Sequence, residues 1–469
     1  MVDSNIAVLN RINAESITIY TYYNGIKYDT DVISIISENG LWSEGSGSAS
    51  DPFIIKTAED FKNIFAESLY LDSYFKFAND IDFSGVSYEP TINKGAFRCV
   101  IDGNGYAIYN LTVTSPTASL IYDLYDGTVK NLSINNSSFT NSSGVYAGAI
   151  AAVSTYGVIE NVVVGPDVTI SGSFDFAGGL IGMGREVDFK DVANYSDVTN
   201  NSTSNNAYNG GIIGYAEGSY FERVFNMGDV TSKNAVTGGI AGRLELENGS
   251  DSNILSYIYN RGDVEGSTFN GGLFGYDIGS SLEYAYSIDN GDAGGTCYGG
   301  LSGLANYSTY YNVYVYTNGE YLYRYPNDGS VTSGGLVKMT STQSKNQSTY
   351  TKFDFSNVWK MEDSYPVFRR FDVNFITGIT ASNLSVNKNK YKNISYSITP
   401  SDARFKRLQF TSSKTSIATV DSNGRVKGVA EGNTTIKLKT TDGTNISKSI
   451  TVNVTNIPLD FGSLNVDEE

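Results

Sequence analysis

The chain has 469 residues, a net charge of −17 and no histidine. Such a charge disfavours nucleic acid and anionic membrane surfaces as partners, because both would repel the protein. Without histidine, imidazole-based triads and histidine-ligated zinc sites are excluded, which leaves carboxylates, tyrosines and lysines for acid–base chemistry.

Residues 1–42 predict a small β-unit that precedes the repeats described below. Apolar and polar residues alternate from Ser16 to Tyr22 and from Asp31 to Ile36, which is typical of strands. The Asn-Gly pair at positions 24 and 25 is a hairpin-turn signal. We interpret this unit as a docking piece.

A polar, glycine-rich linker at residues 43–56 leads to a predicted helix. Thr57 is suited to the N-cap, and Phe61, Ile64 and Phe65 form one apolar face. We expect this helix to cap the open end of the repeat region, where strand edges would otherwise recruit other chains.

A glycine phrase recurs through the central part of the chain, residues 57–372, at steps of 28 to 35 residues. A second phrase, Asn-x-x-Asp-Val, keeps the same phase at Asn194, Asn226 and Asn260. The copies of the first phrase are Gly178-Gly179-Leu180-Ile181-Gly182, Gly210-Gly211-Ile212-Ile213-Gly214, Gly238-Gly239-Ile240-Ala241-Gly242, Gly271-Gly272-Leu273-Phe274-Gly275 and Gly299-Gly300-Leu301-Ser302-Gly303, with weaker copies at Ala147–Ala151 and Gly334–Val337.

The runs between these landmarks are short, β-branched and aromatic, and they lack the Ala- and Leu-rich faces of helical repeats of similar length. About three such runs per unit predict an all-β fold, a right-handed parallel β-helix with coils stacked by parallel pairing. The Gly-Gly pairs should lie at corners or close approaches, and the following apolar residues should form an inner column. The asparagines should form a ladder that tolerates left-handed backbone.

The glycine phrase resembles the bacterial surface repeat named GLUG, and the resemblance covers about 270 residues, from Tyr74 to about Met339. It implies a solenoid that serves as a structural feature of surface proteins. After the repeats, Trp359, Tyr365 and Phe368 are expected to close the far end of the solenoid.

From residue 373 to 455, short strands at sandwich spacing predict a second domain, followed by an acidic tail at 456–469. The segment from Ile417 to Lys437, with Asn423-Gly424 as a tight turn, resembles the bacterial immunoglobulin-like domain of group 2. Phe410 stands where that family often has tryptophan, and both residues would fill the core. The resemblance implies a spacer or adhesive module on bacterial surfaces or bacteriophage particles.

Carboxylates are the main candidates for chemistry. Asp80 and Asp82 share one strand face, with Asp102 about a coil away, and paired carboxylates are what glycoside cleavage requires. A solvated strand face explains the same pattern. We therefore assign no catalytic, cofactor-binding or metal-binding residue, and we expect Cys99 and Cys297 to be free thiols.

Two further features have structural and functional interpretations. The Arg-Gly-Asp tripeptide at residues 261–263 occupies a position that the repeat fills in every copy, which favours a structural origin. The tyrosines between Tyr307 and Tyr325 could form a platform for sugar rings, although stacked ladder residues explain them as well.

Three functions fit the sequence. The first is a non-enzymatic structural or adhesive protein on a bacteriophage particle, in a tail, baseplate or capsid-decorating fibre, because the architecture is extracellular and residues 1–6 lack a secretion signal. The second is a bacterial cell-surface adhesin, and the third is a polysaccharide depolymerase. The expected partners are other virion proteins through the N-terminal unit and bacterial surface glycan or protein. Neither membrane insertion nor a cofactor is expected, and self-association is left open.

Overall fold

The computed structural model describes residues 16–23, 26–34, 41–66, 70–90, 97–247, 252–289, 297–319, 321–324, 331–369, 374–401, 403–442 and 444–456. The N-terminal strands Ser16–Tyr23 and Ile26–Ser34 pair antiparallel, as predicted, with an irregularity between Thr21 and Tyr22. The predicted turn residues, Asn24 and Gly25, lie outside the described part of the chain.

The predicted helix spans Ala58–Asn63 and is capped by a capping box, in which the Thr57 side chain accepts from the Asp60 backbone N–H. Phe61 and Ile64 are fully buried. The Phe61 ring contacts several aromatic rings of the first coils, among them Phe77 at 6.2 Å and Phe83 at 5.9 Å between centroids. The helix therefore covers the apolar interior of these coils.

Three parallel sheets, which we name A, B and C, build the solenoid. Sheet A consists of Phe53–Ile55, Tyr74–Phe77, Ile81–Asp82, Val100–Asp102, Ala107–Tyr109, Thr128–Asn135, Val158–Val164, Asp188–Asn194, Tyr220–Asn226, Ile254–Asn260, Ser281–Asp289, Thr309–Thr317 and Thr332–Met339. Sheet B consists of Thr112–Val113, Ser138–Asn141, Thr169–Gly172, Asp197–Asn200, Val230–Ser232 and Val264–Glu265. Sheet C consists of Thr117–Tyr125, Tyr146–Thr155, Phe176–Gly178, Ile181–Arg185, Tyr208–Gly210, Ile213–Glu217, Val236–Gly238, Ala241–Glu245, Phe269–Gly271, Phe274–Ile278, Cys297–Gly299 and Ser302–Asn306.

The six coils between Ala107 and Ile278 run through sheets A, B and C in turn, and their strands pair in parallel with counterparts one coil away. The predicted parallel β-solenoid is therefore confirmed. The apolar residue after each of the five clear Gly-Gly phrases points into the interior with no exposed surface, which confirms the predicted inner column there. The weaker copy at Gly334–Val337 does not follow, because it lies in a strand of sheet A and its Leu336 is half-buried. The members of this column are Leu180, Ile212, Ile240, Leu273 and Leu301.

The two sequence phrases keep one phase because they touch each other. A Cβ added to Gly211 would lie 2.4 Å from Cγ of Asn226, so only glycine fits beside the asparagine. Asn194 donates to Asn226 and Asn226 donates to Asn260, both at 2.8 Å, and all three are fully buried. The predicted ladder therefore lies beneath the glycine corner and satisfies polar groups that have no access to water.

Left-handed backbone recurs at other positions, including the corners before the sheet A strands, at Asp126, Tyr156 and Glu186, and one register position in the middle of those strands. Asn131, Asn161 and Asp191 occupy this position in successive coils, and Arg223, Tyr257, Tyr284 and Asn312 continue it. Their φ angles lie between 52° and 59°. We expected the ladder asparagines themselves to adopt left-handed backbone. This was wrong for the buried ladder, because Asn194, Asn226 and Asn260 do not have positive φ angles.

The outer face of sheet A is covered by residues 340–369, which we name the strap. It contains a helix at Ser341–Ser344, a 3-10 helix at Gln347–Thr349, and the antiparallel strands Trp359–Glu362 and Tyr365–Phe368. The Trp359 ring lies 6.1 Å from Tyr259 and 6.0 Å from Tyr286, between centroids.

The position of the strap corrects the expectation that Trp359, Tyr365 and Phe368 close the end of the solenoid. Phe368 contacts Phe225 and Tyr259, so the strap runs back along the side of the coils. The reason is the outward column of large rings on sheet A, which would otherwise expose apolar area to water.

The C-terminal domain has its own core and three small sheets. Gly424 in the predicted Asn-Gly turn has φ of 76°, and the half-buried Phe410 packs against it. The strands are Gly378–Ala381, Leu384–Asn387, Tyr391–Asn393, Tyr396–Thr399, Leu408–Ser412, Ala418–Val420, Arg425–Gly428, Gly432–Thr440 and Ser447–Thr455.

This domain lies against the side of the first coils. The fully buried Phe405 packs beside Gly165, where its ring atom Cζ would be 3.0 Å from an added Cβ. Arg404 donates to the Ser133 hydroxyl at 2.6 Å, and Arg407 forms an ion pair with Asp82. The C-terminal domain therefore lies beside the solenoid and does not extend it beyond its far end.

Candidate binding surface

The C-terminal third of the chain covers the outward aromatic residues of sheet A. A second row of outward aromatic residues, on sheet C, is not covered in this way. We name them, with the arginine among them, the aromatic strip. Each member is half-buried. The strip consists of Tyr146, Phe176, Tyr208, Tyr215, Arg243, Phe269 and Tyr276.

The strip follows the solenoid axis because its residues occupy two neighbouring register columns. Tyr146, Phe176 and Tyr208 align in successive coils, with ring centroids 5.4 and 5.7 Å apart. Tyr215, Arg243 and Tyr276 align in the second column. Parallel stacking of identical positions thus turns a repeat in sequence into a continuous surface row.

Arg243 lies in the middle of the strip and is held on several sides. Its guanidinium carbon lies 5.4 Å from the centroid of Tyr208 and 5.0 Å from that of Tyr276, within cation–π distance. It also donates to the Tyr208 hydroxyl at 2.8 Å and pairs with Glu245. Its charge is therefore compensated within the protein.

Carboxylates border the strip. Glu217 accepts from the Tyr215 hydroxyl at 2.6 Å and from Arg185 Nε at 2.8 Å. Burial, and then the bond to Glu217, raises the pKa of Tyr215, so its hydroxyl stays protonated and can donate. Burial also raises the pKa of Asp123, which lies in the second column, three coils before Tyr215. The strip thus combines ring surfaces with hydroxyl donors and carboxylate acceptors.

The candidate catalytic acids are engaged in structural contacts. Asp82 accepts from Arg407 and from Asn110, and Asp102 accepts from the Asn104 backbone and from Asn131. Burial alone would raise the pKa of Asp82, but the hydrogen bonds, that from Arg407 first, lower it to about 2. This carboxylate is therefore fixed in its ionised form, which does not suit a general acid at neutral pH.

Asp80 and Asp82 nevertheless lie together, in the wall of a cavity of about 440 Å³ between the solenoid and the C-terminal domain. Lys406 and Arg407 line the same cavity. Asp80 accepts from the Ala107 backbone at 3.0 Å. The arrangement resembles a charged interdomain contact more closely than a pair of opposed catalytic carboxylates.

The Arg-Gly-Asp tripeptide is built into a solenoid corner. The Arg261 guanidinium lies 4.5 Å from the centroid of the Tyr365 ring, and an added Cβ on Gly262 would lie 1.9 Å from the Gly228 carbonyl oxygen. The backbone N–H of Asp263 donates to Asp229 at 2.9 Å. These contacts explain the tripeptide by its repeat position.

The tyrosines from 307 to 325 do not form one platform among the residues that the structure describes. Tyr310 is fully buried in the interior, and Tyr314 lies under the strap. Tyr307, Tyr311 and Tyr321 are exposed, by 57%, 43% and 44%. Tyr325 lies outside the described residues, as does the side chain of Cys297, whereas Cys99 is a buried free thiol as predicted.

A buried acid, Asp277, was not singled out from the sequence, where it follows the fourth Gly-Gly phrase as one acidic residue among many. It has no exposed surface and accepts from Tyr310 at 2.6 Å and from Ser280 at 2.7 Å. Burial raises its pKa to about 6, against the lowering effect of these hydrogen bonds.

The raised pKa makes Asp277 a source of pH-dependent stability. The folded state holds the proton up to about pH 6, whereas the unfolded chain releases it near 3.8. The free energy of unfolding should therefore fall as pH rises between these values and stay lower above them. We expect Asp277→Asn to stabilise the protein at pH 7.5 by up to about 3 kcal/mol and to have little effect at pH 4.

Thermal denaturation at both pH values measures this difference, and Asp82→Asn provides a control of opposite sign. Because its pKa is lowered, Asp82 contributes stability above its unfolded value of 3.8 that is lost as pH falls toward 2. Equal melting temperatures of Asp277→Asn and the natural protein at pH 7.5 would contradict the account given for Asp277.

Among the residues that the structure describes, no group of three or more Cys, Asp or Glu side chains is placed to hold a metal ion. The helices in the same residues include none that is long and apolar enough to cross a membrane.

Comparison with known proteins gave similarities over parts of the chain. A halomucin of Haloquadratum walsbyi is 30% identical over 152 residues, which is 29% of this chain and 2% of that protein. An uncharacterised protein of Clostridium acetobutylicum is 36% identical over 83 residues, or 17% of this chain and 9% of that protein. The chain therefore spans only a small part of the length of these relatives.

A solved structure with a similar fold is described provisionally as an immunoglobulin A1 protease from Bacteroides ovatus. It is 20% identical with a TM-score of 0.43, covering 70% of this chain and 96% of its own. Residues 373–452 match the family model of the bacterial Ig-like domain (group 2). The C-terminal part of the chain is therefore a bacterial Ig-like domain of this group.

Proposed function

We propose that this protein is a non-enzymatic, rigid surface rod that attaches to bacterial surface glycan. The observation that carries the proposal is the folding back of the strap and the Ig-like domain onto sheet A. These contacts cover one face of the solenoid and leave the aromatic strip of sheet C outward. A solenoid braced in this way can hold a binding surface at a fixed distance from its point of attachment.

The use of the acidic residues also supports a binding role. Asp82 and Asp102 hold neighbouring backbone and side chains, and Asp82 additionally binds the Ig-like domain through Arg407. A depolymerase needs a pair of carboxylates free to act on the substrate. The polysaccharide depolymerase is therefore the less favoured alternative.

Two locations of display are compatible with this role, a bacterial cell surface and a bacteriophage particle. The Ig-like domain and the similarity of part of the chain to a halomucin support a cell surface. The resemblance of the glycine phrase to GLUG repeats supports the same assignment. The phage particle remains the alternative that the sequence raised, with the N-terminal hairpin as its docking unit.

The proposal is tested by incubating the purified full chain with intact bacterial cells and measuring the protein retained after washing. We expect retention that falls when surface polysaccharide is stripped from the cells, with no release of reducing ends over the same period. Release of reducing ends that is lost in Asp80→Asn would instead establish a depolymerase. Immunogold labelling of cells and mass spectrometry of purified phage particles then decide the location.

A further inference from the structure

We propose that the aromatic strip binds one chain of a neutral polysaccharide that lies along the solenoid axis. The inference rests on the proposed attachment to glycan and names the binding face, the ligand class and its direction. The strip covers five successive coils, from Tyr146 through Phe176 and Tyr208 to Phe269, and in the fourth coil, where the first column has the buried Val236, its member is Arg243.

The spacing of the strip fits a linear polymer. Neighbouring parallel strands lie about 4.8 Å apart, which is close to the length of one sugar ring in an extended polysaccharide. The Tyr146, Phe176 and Tyr208 centroids follow this spacing at 5.4 and 5.7 Å. One sugar ring per coil can therefore meet the same kind of aromatic residue in the first three coils of the strip.

The charges select a neutral ligand. Arg243 is paired with Glu245 and enclosed by the Tyr208 and Tyr276 rings, so it offers little free positive charge. Glu217 and Asp123 border the strip, and the whole chain carries a net charge of −17. An acidic polysaccharide would be repelled, whereas sugar hydroxyls can donate to the carboxylates.

The chemistry of the strip matches the two faces of a sugar. The ring faces pack against one another and against Arg243, so the outward edges of the rings offer the apolar surface on which C–H groups of a sugar can pack. Tyrosine adds a hydroxyl at the water-facing end of the ring. Tyr208 and Tyr215 are placed in this way, with hydroxyls engaged by Arg243 and Glu217. The same hydroxyls have remaining hydrogen-bonding capacity for a ligand.

Affinity electrophoresis in native gels tests the inference, because the acidic chain migrates readily in such gels. The probes are hydroxyethylcellulose, glucomannan and xylan as neutral polymers, with alginate and hyaluronan as acidic ones. We expect retardation by at least one neutral polymer and by neither acidic polymer. For oligosaccharides of the retarding polymer, affinity should rise with length and level off at about five rings, one for each coil.

Variants locate the binding face. Tyr208→Ala should weaken binding at least about tenfold, and Tyr208→Phe, which keeps the ring, should weaken it less. Tyr220→Ala is the matched control, since Tyr220 is 38% exposed but lies on sheet A. If Tyr208→Ala fails to fold, as judged by circular dichroism, Tyr146→Ala at the end of the strip replaces it.

Retardation that persists in the strip variants, or that occurs only with acidic polymers, would overturn the inference. So would the absence of retardation by all neutral polymers. Retention on intact cells that continues in Tyr208→Ala would leave the proposed attachment in place and refute only this face and ligand.

Discussion

Gly239→Ala is expected to destabilise the solenoid strongly. An added Cβ would lie 2.3 Å from Cγ and Nδ2 of Asn260 and 2.3 Å from the carbonyl oxygen of Gly272. Neither can move freely, because Asn260 belongs to the buried ladder and Gly272 belongs to the next coil. We expect a loss of about 3 kcal/mol or more in the free energy of unfolding, measured by chemical denaturation.

Gly378→Ala is the matched control for this experiment. Gly378 begins a strand of the Ig-like domain, and an added Cβ would meet only Thr399 Cβ at 3.9 Å, an ordinary contact. We expect this variant to unfold like the natural protein. If Gly239→Ala were equally harmless, the close contact between the glycine corner and the asparagine ladder would not be what holds the coils together.

Phe405→Ala is expected to detach the Ig-like domain from the solenoid without unfolding either. Phe405 lies within the Ig-like sequence, but its fully buried side chain belongs to the cluster formed by the outward residues of sheet A and the strap, and not to the core of its own domain. Truncation of a buried phenylalanine costs about 3 to 5 kcal/mol, which here falls on the contact between the two domains.

Small-angle X-ray scattering measures this detachment as an increase in the radius of gyration. Circular dichroism should show unchanged strand content, and Tyr391→Ala, at a side chain 52% exposed on the same domain, should leave the scattering unchanged. A Phe405→Ala protein as compact as the natural one would mean that Arg404 and Arg407 suffice for docking.

The coil architecture could be predicted because its determinants recur in the sequence. Each Gly-Gly pair and each ladder asparagine is a local requirement, imposed again about every 30 residues by stacking on the previous coil. The capping helix was equally predictable, since Thr57 and Asp60 form its capping box within four residues. Periodic and local signals can therefore be recognised in a single sequence.

The docking of the C-terminal domain could not be predicted, because its determinants do not recur. In the outward-facing register column of sheet A, the residues are small in the earlier coils, at Ser133, Val163 and Ala193, and aromatic from Phe225 onward. Their size matches the segment that covers each coil, which is the Ig-like domain at Ser133 and the strap at Phe225. Asp82 and Arg407 are 325 residues apart in sequence, and nothing at either position identifies the other. Left-handed backbone at Arg223 was likewise hidden, since arginine rarely adopts it.

The aromatic strip was hidden for a third reason. Its members come from two register columns of sheet C and look like ordinary strand residues until the coils are stacked. The densest tyrosine cluster in the sequence drew attention instead, yet the structure places Tyr310 inside and Tyr314 beneath the strap. Density along a chain does not predict proximity on a surface when successive residues point in opposite directions.

The return of the chain along sheet A places the C-terminal domain beside the coils that open the solenoid. Residues 41–66 open the first coils, and the last described residues belong to a domain docked on those same coils. A surface held by residues 41–66 or by the C-terminal domain would therefore leave the strand Thr332–Met339, at the opposite end of sheet A, away from that surface.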